Sequence, residues 1–475
     1  MSRDPAVDLV HAPIAEWARS RRDAVAIRCG DHTLRFGQLQ DRLTRGAQAL
    51  NATCAPHSVL VDGTLPATER LVQFMSIIAS GRCAVVGDPQ WPQAVGQAVR
   101  ASLPQQPSVQ PVARPSTPFY IGYTSGSTGT PKGYRRNHRS WTESFKACLD
   151  AFGPDAAACV LAPGRDSHSL FLFGMALGLW TGGGVVVQEQ FSATAALDTM
   201  RSGLTPCLVA VPSQLLMMLE AARHQNSAPI EAVRLILVSG SRWMRNRTPE
   251  LRALFPCARI IEFYGASETS FIAWMDTDEH APAWVVGWPF KQVDLQIRPP
   301  QPDEPAGLIY VRSPMVFMDY VGGADDATAA LRDGDWISVR DLGYVDDQGR
   351  LCLAGRQNRM LVTLGKNLFP EEVESVLERH PNIASASVHG LPDPVRGLQV
   401  VAVVRWAQAS DSPPPDALAL KAWCRKQMED FKIPRKFFVC NHWPLTTSGK
   451  TDHRAIAKGL PAVTHDGAPC LNPLP

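Results

Sequence analysis

The run Tyr120-Ile-Gly-Tyr-Thr-Ser-Gly-Ser-Thr-Gly-Thr-Pro-Lys-Gly133 constrains this chain more than any other. The apolar and aromatic residues Phe119 to Tyr123 read as a buried strand. They lead into a loop of small and hydroxylated residues closed by Pro131, Lys132 and Gly133. Gly126 and Gly129 let the backbone bend around a polyanion and bring its N–H groups close. Thr124, Ser125, Ser127 and Thr128 add hydroxyl donors, and Lys132 adds a mobile positive charge. Such a loop suits the β- and γ-phosphates of ATP. It is not the other common phosphate loop, because no G-x-x-x-x-G-K is present to end it. A flexible Ser/Gly linker would lack both the buried strand before it and the Pro-Lys-Gly close.

At 475 residues the chain is too long for one ordinary core and fits two or more domains. A formal charge of +2 argues against nucleic-acid binding through a broad basic face. Met1-Ser-Arg-Asp-Pro opens with no apolar segment, so no secretory signal is read. The longest apolar runs, such as Leu170 to Trp180, are too short and too glycine-rich to span a bilayer. Eleven cysteines are scattered singly without C-x-x-C spacing, which speaks for reduced thiols in a cytoplasmic protein and against zinc or a disulfide framework.

Residues 8 to 50 read as helix, strand hairpin and helix, with Gly30-Asp31 as the turn. Alternating helical and strand patterns through 100 to 290 predict parallel α/β layers with crossover helices. Val209 to Leu219 reads as a strand, a Pro-Ser turn and a helix capped by Ser213. Leu235 to Ser241 reads as a buried strand ending in small residues, and Asp346 to Arg350 as a hairpin turn. Ile260 to Thr269 reads as a strand running into Tyr264-Gly265-Ala266-Ser267-Glu268. A flat phenol can stack on adenine, Gly265 permits close approach, Ser267 can donate to an α-phosphate, and Glu268 can hold Mg²⁺.

Positions 123 to 133 match throughout the phosphate motif of the adenylate-forming superfamily, which includes acyl-CoA synthetases, luciferases and peptide-synthetase adenylation domains. The chain resembles that family from about residue 10 to 458, with five motifs in order. Tyr264 to Glu268 looks like its Tyr-Gly-x-Thr/Ser-Glu motif. Asp335 to Tyr344 resembles its ribose motif, with Asp341 retained and Val339-Arg340 standing where Thr-Gly is usual. Leu308 replaces a usual Glu in Gly307-Leu308-Ile309, a loss expected to be structural. Gly355-Arg356-Gln357-Asn358 resembles the interdomain junction, which implies ribose or phosphate pairing by Arg356 and a hinge at Asn358. The segment from Thr363 to Glu374 resembles a loop that lines the thiol tunnel, nominating Gly365 and Lys366. Gly449-Lys450-Thr-Asp resembles the motif whose lysine serves the first half-reaction, which nominates Lys450.

The resemblance also places the acyl pocket at Gly164 to Gly174 and at Ser239, Gly240, Ser241 and Ala266. Amino-acid-activating relatives carry Phe-Asp where a gapless reading puts His168-Ser169. A buried ammonium without a carboxylate is costly, so an α-amino acid is disfavoured and a plain, hydroxylated or aromatic acid favoured. Asp166 lies two residues away, and a slip of that length would restore the amino acid.

The expectation is therefore an α/β protein: a large multi-layer N-terminal domain (1–354), a hinge (355–358), a small mobile α+β C-terminal domain (359–460) and a disordered tail (461–475). ATP, bound by Thr124 to Gly129, Lys132, Tyr264, Gly265, Asp341 and Arg356, and Mg²⁺ on Glu268 would activate a carboxylic acid as acyl-AMP. The acyl group would then pass to CoA, or to the phosphopantetheine of a separate carrier protein. The basic residues Arg425, Lys426, Lys432, Arg435 and Lys436 could receive CoA phosphates or an acidic carrier face. A non-catalytic nucleotide-binding relative is the remaining alternative.

Overall fold

The apolar residues of the opening motif form the middle of β5 (Pro118–Thr124) in a computed structural model of the chain. The structure describes residues 8–124, 131–301, 304, 306–321, 328, 331–357, 359–363, 366–394, 396–407, 413–446, 450–460 and 471–474. Its contacts divide the chain into two units. The first is Met1–Glu279, Gly287–Leu295 and Tyr310–Val339; the second is His280–Val286, Gln296–Ile309 and Arg340–Pro475.

In the first unit, β3 (Ser58–Leu60), β4 (Cys83–Val85) and β5 run parallel. Next to β5 lies β6 (Lys132–Asn137), antiparallel, with Thr124 opposite Lys132 and Gly122 opposite Tyr134. Lys132 therefore opens a strand, where the sequence suggested the end of a loop. The short strand Asp319–Tyr320 pairs with the outer side of β6.

A second sheet in this unit runs in the order β12-β11-β10-β9-β7-β8-β1-β2. Its members are β1 (Val25–Cys29), β2 (His32–Arg35), β7 (Val160–Ala162), β8 (Val185–Val187), β9 (Cys207–Ala210), β10 (Leu235–Val238), β11 (Arg259–Ala266) and β12 (Ser270–Asp276). The strands from β11 through β1 are parallel, whereas β2 pairs antiparallel with β1, and β12 antiparallel with β11 and with the strand Val285–Pro289. Parallel strands covered by helices on both faces need apolar residues in succession, which is why Leu235-Ile-Leu-Val238 shows no alternation. One face packs on α7 (Ala193–Arg201), α8 (Pro212–His224) and α9 (Thr248–Leu254), with Leu161, Leu208 and Ile236 meeting Leu197, Leu215 and Leu251.

The helix α6 (Ser169–Thr181) is buried at every position from Phe171 to Trp180. Apolar all round, it has no face to give to water and can only be a core helix. Each large apolar side chain it buries contributes about 1.5–3 kcal/mol. The cap of α8 differs from expectation. Pro212 takes the first helical position and the cap is Val211, whose N–H donates to Gln214 Oε1 at 3.3 Å. Proline at that position has no N–H to satisfy, so Ser213 lies inside the helix.

In the second unit, Ile383–Asp393 and Gly397–Trp406 pair antiparallel, and Lys436–Cys440 adds in parallel. Val400, Ala402 and Val404 face one cluster with the helices Pro370–Glu378 and Ala417–Arg425, while Val401 and Val403 face another with Ile456 and Leu460. The period of two serves two apolar faces. The disordered-tail reading needs one correction: Leu471–Pro473 is a strand antiparallel to Lys436–Cys440, and Leu471 joins its apolar cluster. Leu474 N–H also donates to Phe437 O at 2.9 Å. The free edge of Lys436–Cys440 supplies the pairing that the tail's Pro/Gly-rich composition concealed.

Candidate active site

The candidate residues of the first unit gather at the C-terminal ends of its parallel strands, where open α/β sheets bind ligands. Thr124 ends β5, His168 and Ser169 follow β7, and Ser239 to Ser241 follow β10. Tyr264, Gly265 and Ala266 lie within β11 itself, and Ser267, Glu268 and Thr269 connect it to β12. The connection is tight. Thr269 N–H donates to Ala266 O at 3.2 Å, Ala266 N–H to Thr269 Oγ1 at 3.1 Å, and Ser270 takes a φ of 59°. Such a three-residue hairpin connection, followed by the left-handed Ser270 that opens β12, presents Ser267 and Glu268 at its tip.

Gly265 is required here for a different reason than ligand approach. A bulge falls between Tyr264 and Gly265, and a Cβ at 265 would stand 1.9 Å from Ser270 O. Gly240 is required by its φ of 91°, in the left-handed region. Ser239 Oγ donates to Phe263 O at 2.8 Å and so ties the end of β10 to β11, whereas Ser241 is exposed.

Glu268 is buried at 8 % exposure, and its Oε1 accepts from Tyr320 O–H at 2.7 Å. Burial, with Glu268 adjacent, pushes the Tyr320 phenol far above the usual tyrosine range, so it is a donor at any working pH. Lys132 Nζ lies 5.8 Å from the centroid of the same ring. Ser267 Oγ is 3.4 Å from Ser169 Oγ, the first residue of α6. The structure thus brings Lys132, Glu268, Ser267 and Ser169 together, with Tyr320 between the lysine and the carboxylate. His168 caps α6 and its ring packs 5.2 Å from Phe171.

Glu268 Oε2 takes no hydrogen bond from a described residue, and no cluster of three His, Cys, Asp or Glu capable of holding a metal occurs among them. A single available carboxylate oxygen fits Mg²⁺, which draws most of its ligands from water and substrate phosphate.

Asp166 settles into a structural pairing. It is 6 % exposed, and both its oxygens accept from Arg70 Nε at 3.1 Å. Arg70 also donates to Leu65 O at 2.7 Å.

In the second unit, Asp341 and Arg356 are opposite one another on paired strands, with Arg356 Nε 3.1 Å from Asp341 Oδ1. Arg340 holds a φ of 65°, the conformation glycine favours, at the position where the ribose motif usually has glycine. Lys366 Nζ lies 4.8 Å over the Phe431 ring. Thr446 N–H donates to Lys450 O at 2.7 Å, and Leu445 bridges Thr451. The basic cluster is partly neutralised from within: Lys432 pairs with Glu372 and Glu429, and Arg435 with Asp430. Ser125, Gly126, Ser127, Thr128, Gly129, Asn358 and Gly365 lie outside the described residues.

Three residues at the first-unit site escaped the sequence reading: Tyr320, Tyr134 and Arg136. The last two had a signal, since alternation along Lys132-Gly-Tyr-Arg-Arg-Asn137 places 132, 134 and 136 on one face. Tyr320 had none, because it meets Glu268 across 52 residues of sequence.

The pattern defining the AMP-binding enzyme family matches residues 53–321, and that of the AMP-binding enzyme C-terminal domain matches 372–450. The chain is 36% identical to the uncharacterized acyl-CoA ligase YhfT of Bacillus subtilis over 74% of its own length and 70% of that protein's. It is 31% identical to the 2-succinylbenzoate–CoA ligase of Arabidopsis thaliana, over 71% of this chain and 66% of that one. O-succinylbenzoate coenzyme A synthetase (MenE) from Bacillus subtilis, solved with ATP and magnesium, superposes with a TM-score of 0.79 at 23% identity, covering 93% of this chain and 98% of that one. That likeness is one of fold: a large N-terminal α/β domain followed by a smaller C-terminal one. Among the described residues no helix is long and apolar enough to cross a membrane.

Proposed function

The chain belongs to the AMP-binding enzyme family and is an AMP-forming acid–thiol ligase, and from that premise we propose that it activates a carboxylic acid other than an α-amino acid and passes the acyl group to CoA. The observation that carries the choice of acid is the Arg70–Asp166 pair. Asp166 is the one acidic side chain in the segment from Gly164 to Gly174, and its two oxygens are already committed to Arg70. A substrate ammonium brought there would have to break a buried ion pair to gain a partner.

In the first half-reaction an oxygen of the acid attacks the α-phosphorus of ATP. A P–O bond forms to the acid as the bond to the β-phosphate oxygen breaks, giving acyl-AMP and pyrophosphate. Ser267 O–H donates to the α-phosphate, and Lys132 meets charge on the departing pyrophosphate. Mg²⁺, held through Glu268, would supply further charge neutralisation on the phosphates. Lys450 serves this half-reaction. In the second, the thiol of CoA loses its proton to solvent and its sulfur attacks the acyl carbon, forming the C–S bond as AMP leaves with the electron pair of the acyl C–O bond. That step calls on the 365–366 loop, so a rotation about Asn358 exchanges it for Lys450. Asp341 and Arg356 serve the ribose and phosphate in both.

The test is incubation with an acid library, MgATP and CoA, with AMP and acyl-CoA read by mass. Formation of both from a non-amino acid supports the proposal. AMP released with acyl transfer only to a phosphopantetheinyl carrier would move the acceptor to the carrier.

A further inference from the structure

The strand β6 carries a residue that the reaction scheme does not use. Arg136 is 2 % exposed and sits on the same strand face as Lys132 and Tyr134. Among the described residues no carboxylate forms an ion pair with it. Its Nη1 donates to Ser267 O at 2.6 Å, its Nη2 to Met315 O, and its Nε to Ser140 Oγ at 3.2 Å. Burial lowers its pKa to about 10, which still leaves it charged at neutral pH. A guanidinium buried against two carbonyls and a hydroxyl is an expensive arrangement, and its three donors point to what it organises.

Ser267 O belongs to the tip of the β11–β12 connection. Glu268 O, the next carbonyl, accepts from Phe317 N–H at 2.7 Å, and the Glu268 carboxylate accepts from Tyr320. Met315, Phe317 and Tyr320 lie in one short segment, and Tyr320 pairs with Tyr134 on β6. Arg136 therefore spans the tip and that segment with a single planar fork, from the strand that opens with Lys132. The phenol of Tyr134, hydrogen-bonded to Tyr120 at 2.9 Å, faces the hydroxyls of Ser169 and Ser267 beside it. A lysine at 136 could satisfy one carbonyl but not both in this geometry.

We propose that Arg136 is a positioning residue that holds the Ser267 hydroxyl and the Glu268 carboxylate in register with Lys132, so that the gain in ATP affinity on adding Mg²⁺ depends on it. The inference rests on the reading of Ser267 and Glu268 as ATP-site groups.

The test is calorimetric titration of the full chain with ATP, once in EDTA and once in excess Mg²⁺, for wild type, Arg136→Met and Arg136→Lys. Wild type binds more tightly in Mg²⁺. Arg136→Met loses about tenfold of that gain while its affinity in EDTA holds within about twofold, and Arg136→Lys falls between. An undiminished Mg²⁺ gain in Arg136→Met overturns the proposal. If Arg136→Met does not fold, Arg136→Lys decides: a reduced gain supports the proposal and an unchanged one overturns it. A wild-type chain that shows no Mg²⁺ gain overturns the reading of Glu268 and the proposal with it, an outcome already visible before any variant is compared.

Discussion

The hydroxyl of Tyr320 donates to Oε1 of Glu268 at 2.7 Å, and the same ring lies under the ammonium of Lys132. One side chain thereby orients the carboxylate assigned to Mg²⁺ and packs against the lysine assigned to the leaving pyrophosphate. Tyr320→Phe keeps the ring and removes only the donor. The expected outcome is adenylation slowed by about tenfold or more, with a stability loss of about 1–3 kcal/mol from a buried carboxylate left short of a partner. Steady-state kinetics and urea denaturation on the same preparation check both halves.

The Arg70–Asp166 pair predicts a sharp asymmetry. Arg70→Met alone leaves the Asp166 carboxylate buried without its partner and is expected to lose about 3–5 kcal/mol of stability, whereas Asp166→Asn leaves Arg70 with Glu189 at 3.9 Å and is expected to lose less. The double variant, with neither charge present, is expected to recover a large part of that loss. Chemical denaturation of the three variants measures it. Additive losses would mean that the two side chains do not act as a pair.

Two histidines of the second unit make it acid-sensitive. Burial holds both His389 and His453 down to a pKa of about 3, with His453 and Arg359 adding to the effect on His389 and Arg359 to that on His453. Ser387 Oγ links the rings at 2.7 and 2.8 Å, Arg359 Nη1 is 3.3 Å from His453 Nε2, and Glu374 is 3.6 Å from His453 Nδ1. Unfolding raises each pKa to its ordinary value near 6.5, so the unfolded chain binds more protons between the two values. Their contribution is fully present above about pH 6.5 and is lost as pH falls toward 3. The slope is up to about 1.4 kcal/mol per pH unit for each histidine. Melting temperatures of wild type and His389→Gln between pH 7 and 5 check this; the variant is expected to show the shallower fall.

Lys450→Ala separates the two half-reactions. It is expected to abolish ATP–pyrophosphate exchange while leaving CoA thioester formation from supplied acyl-AMP largely intact. Loss of both activities in a chain that still melts cooperatively would contradict the assignment of Lys450 to the first step alone.

The parts of the site that lie along one stretch of chain were legible in the sequence, and the parts that meet across the fold were not. The strand before the candidate phosphate-binding segment announced itself by Phe119 to Tyr123, and the Tyr264–Glu268 run by its glycine and carboxylate after an apolar strand. The same sequence did not reveal that Gly265 is needed by its own hairpin, because Ser270 O approaches only once the bulge forms. Asp166 read as a spare carboxylate until Arg70, 96 residues earlier, was seen to hold it. Arg136 belongs to no motif and drew no reading from the sequence. Only the fold places the Ser267 and Met315 carbonyls against it. Pro212 shows the local limit: Pro-Ser reads equally as a turn or as the first turn of a helix, and the buried face of α8 decides.

ATP–pyrophosphate exchange across a panel of aliphatic, hydroxy, aryl and α-amino acids tests the central claim most directly. The account predicts exchange with a non-amino class and none with α-amino acids. Exchange confined to α-amino acids would contradict it, and so would silence across the panel from a chain that binds MgATP.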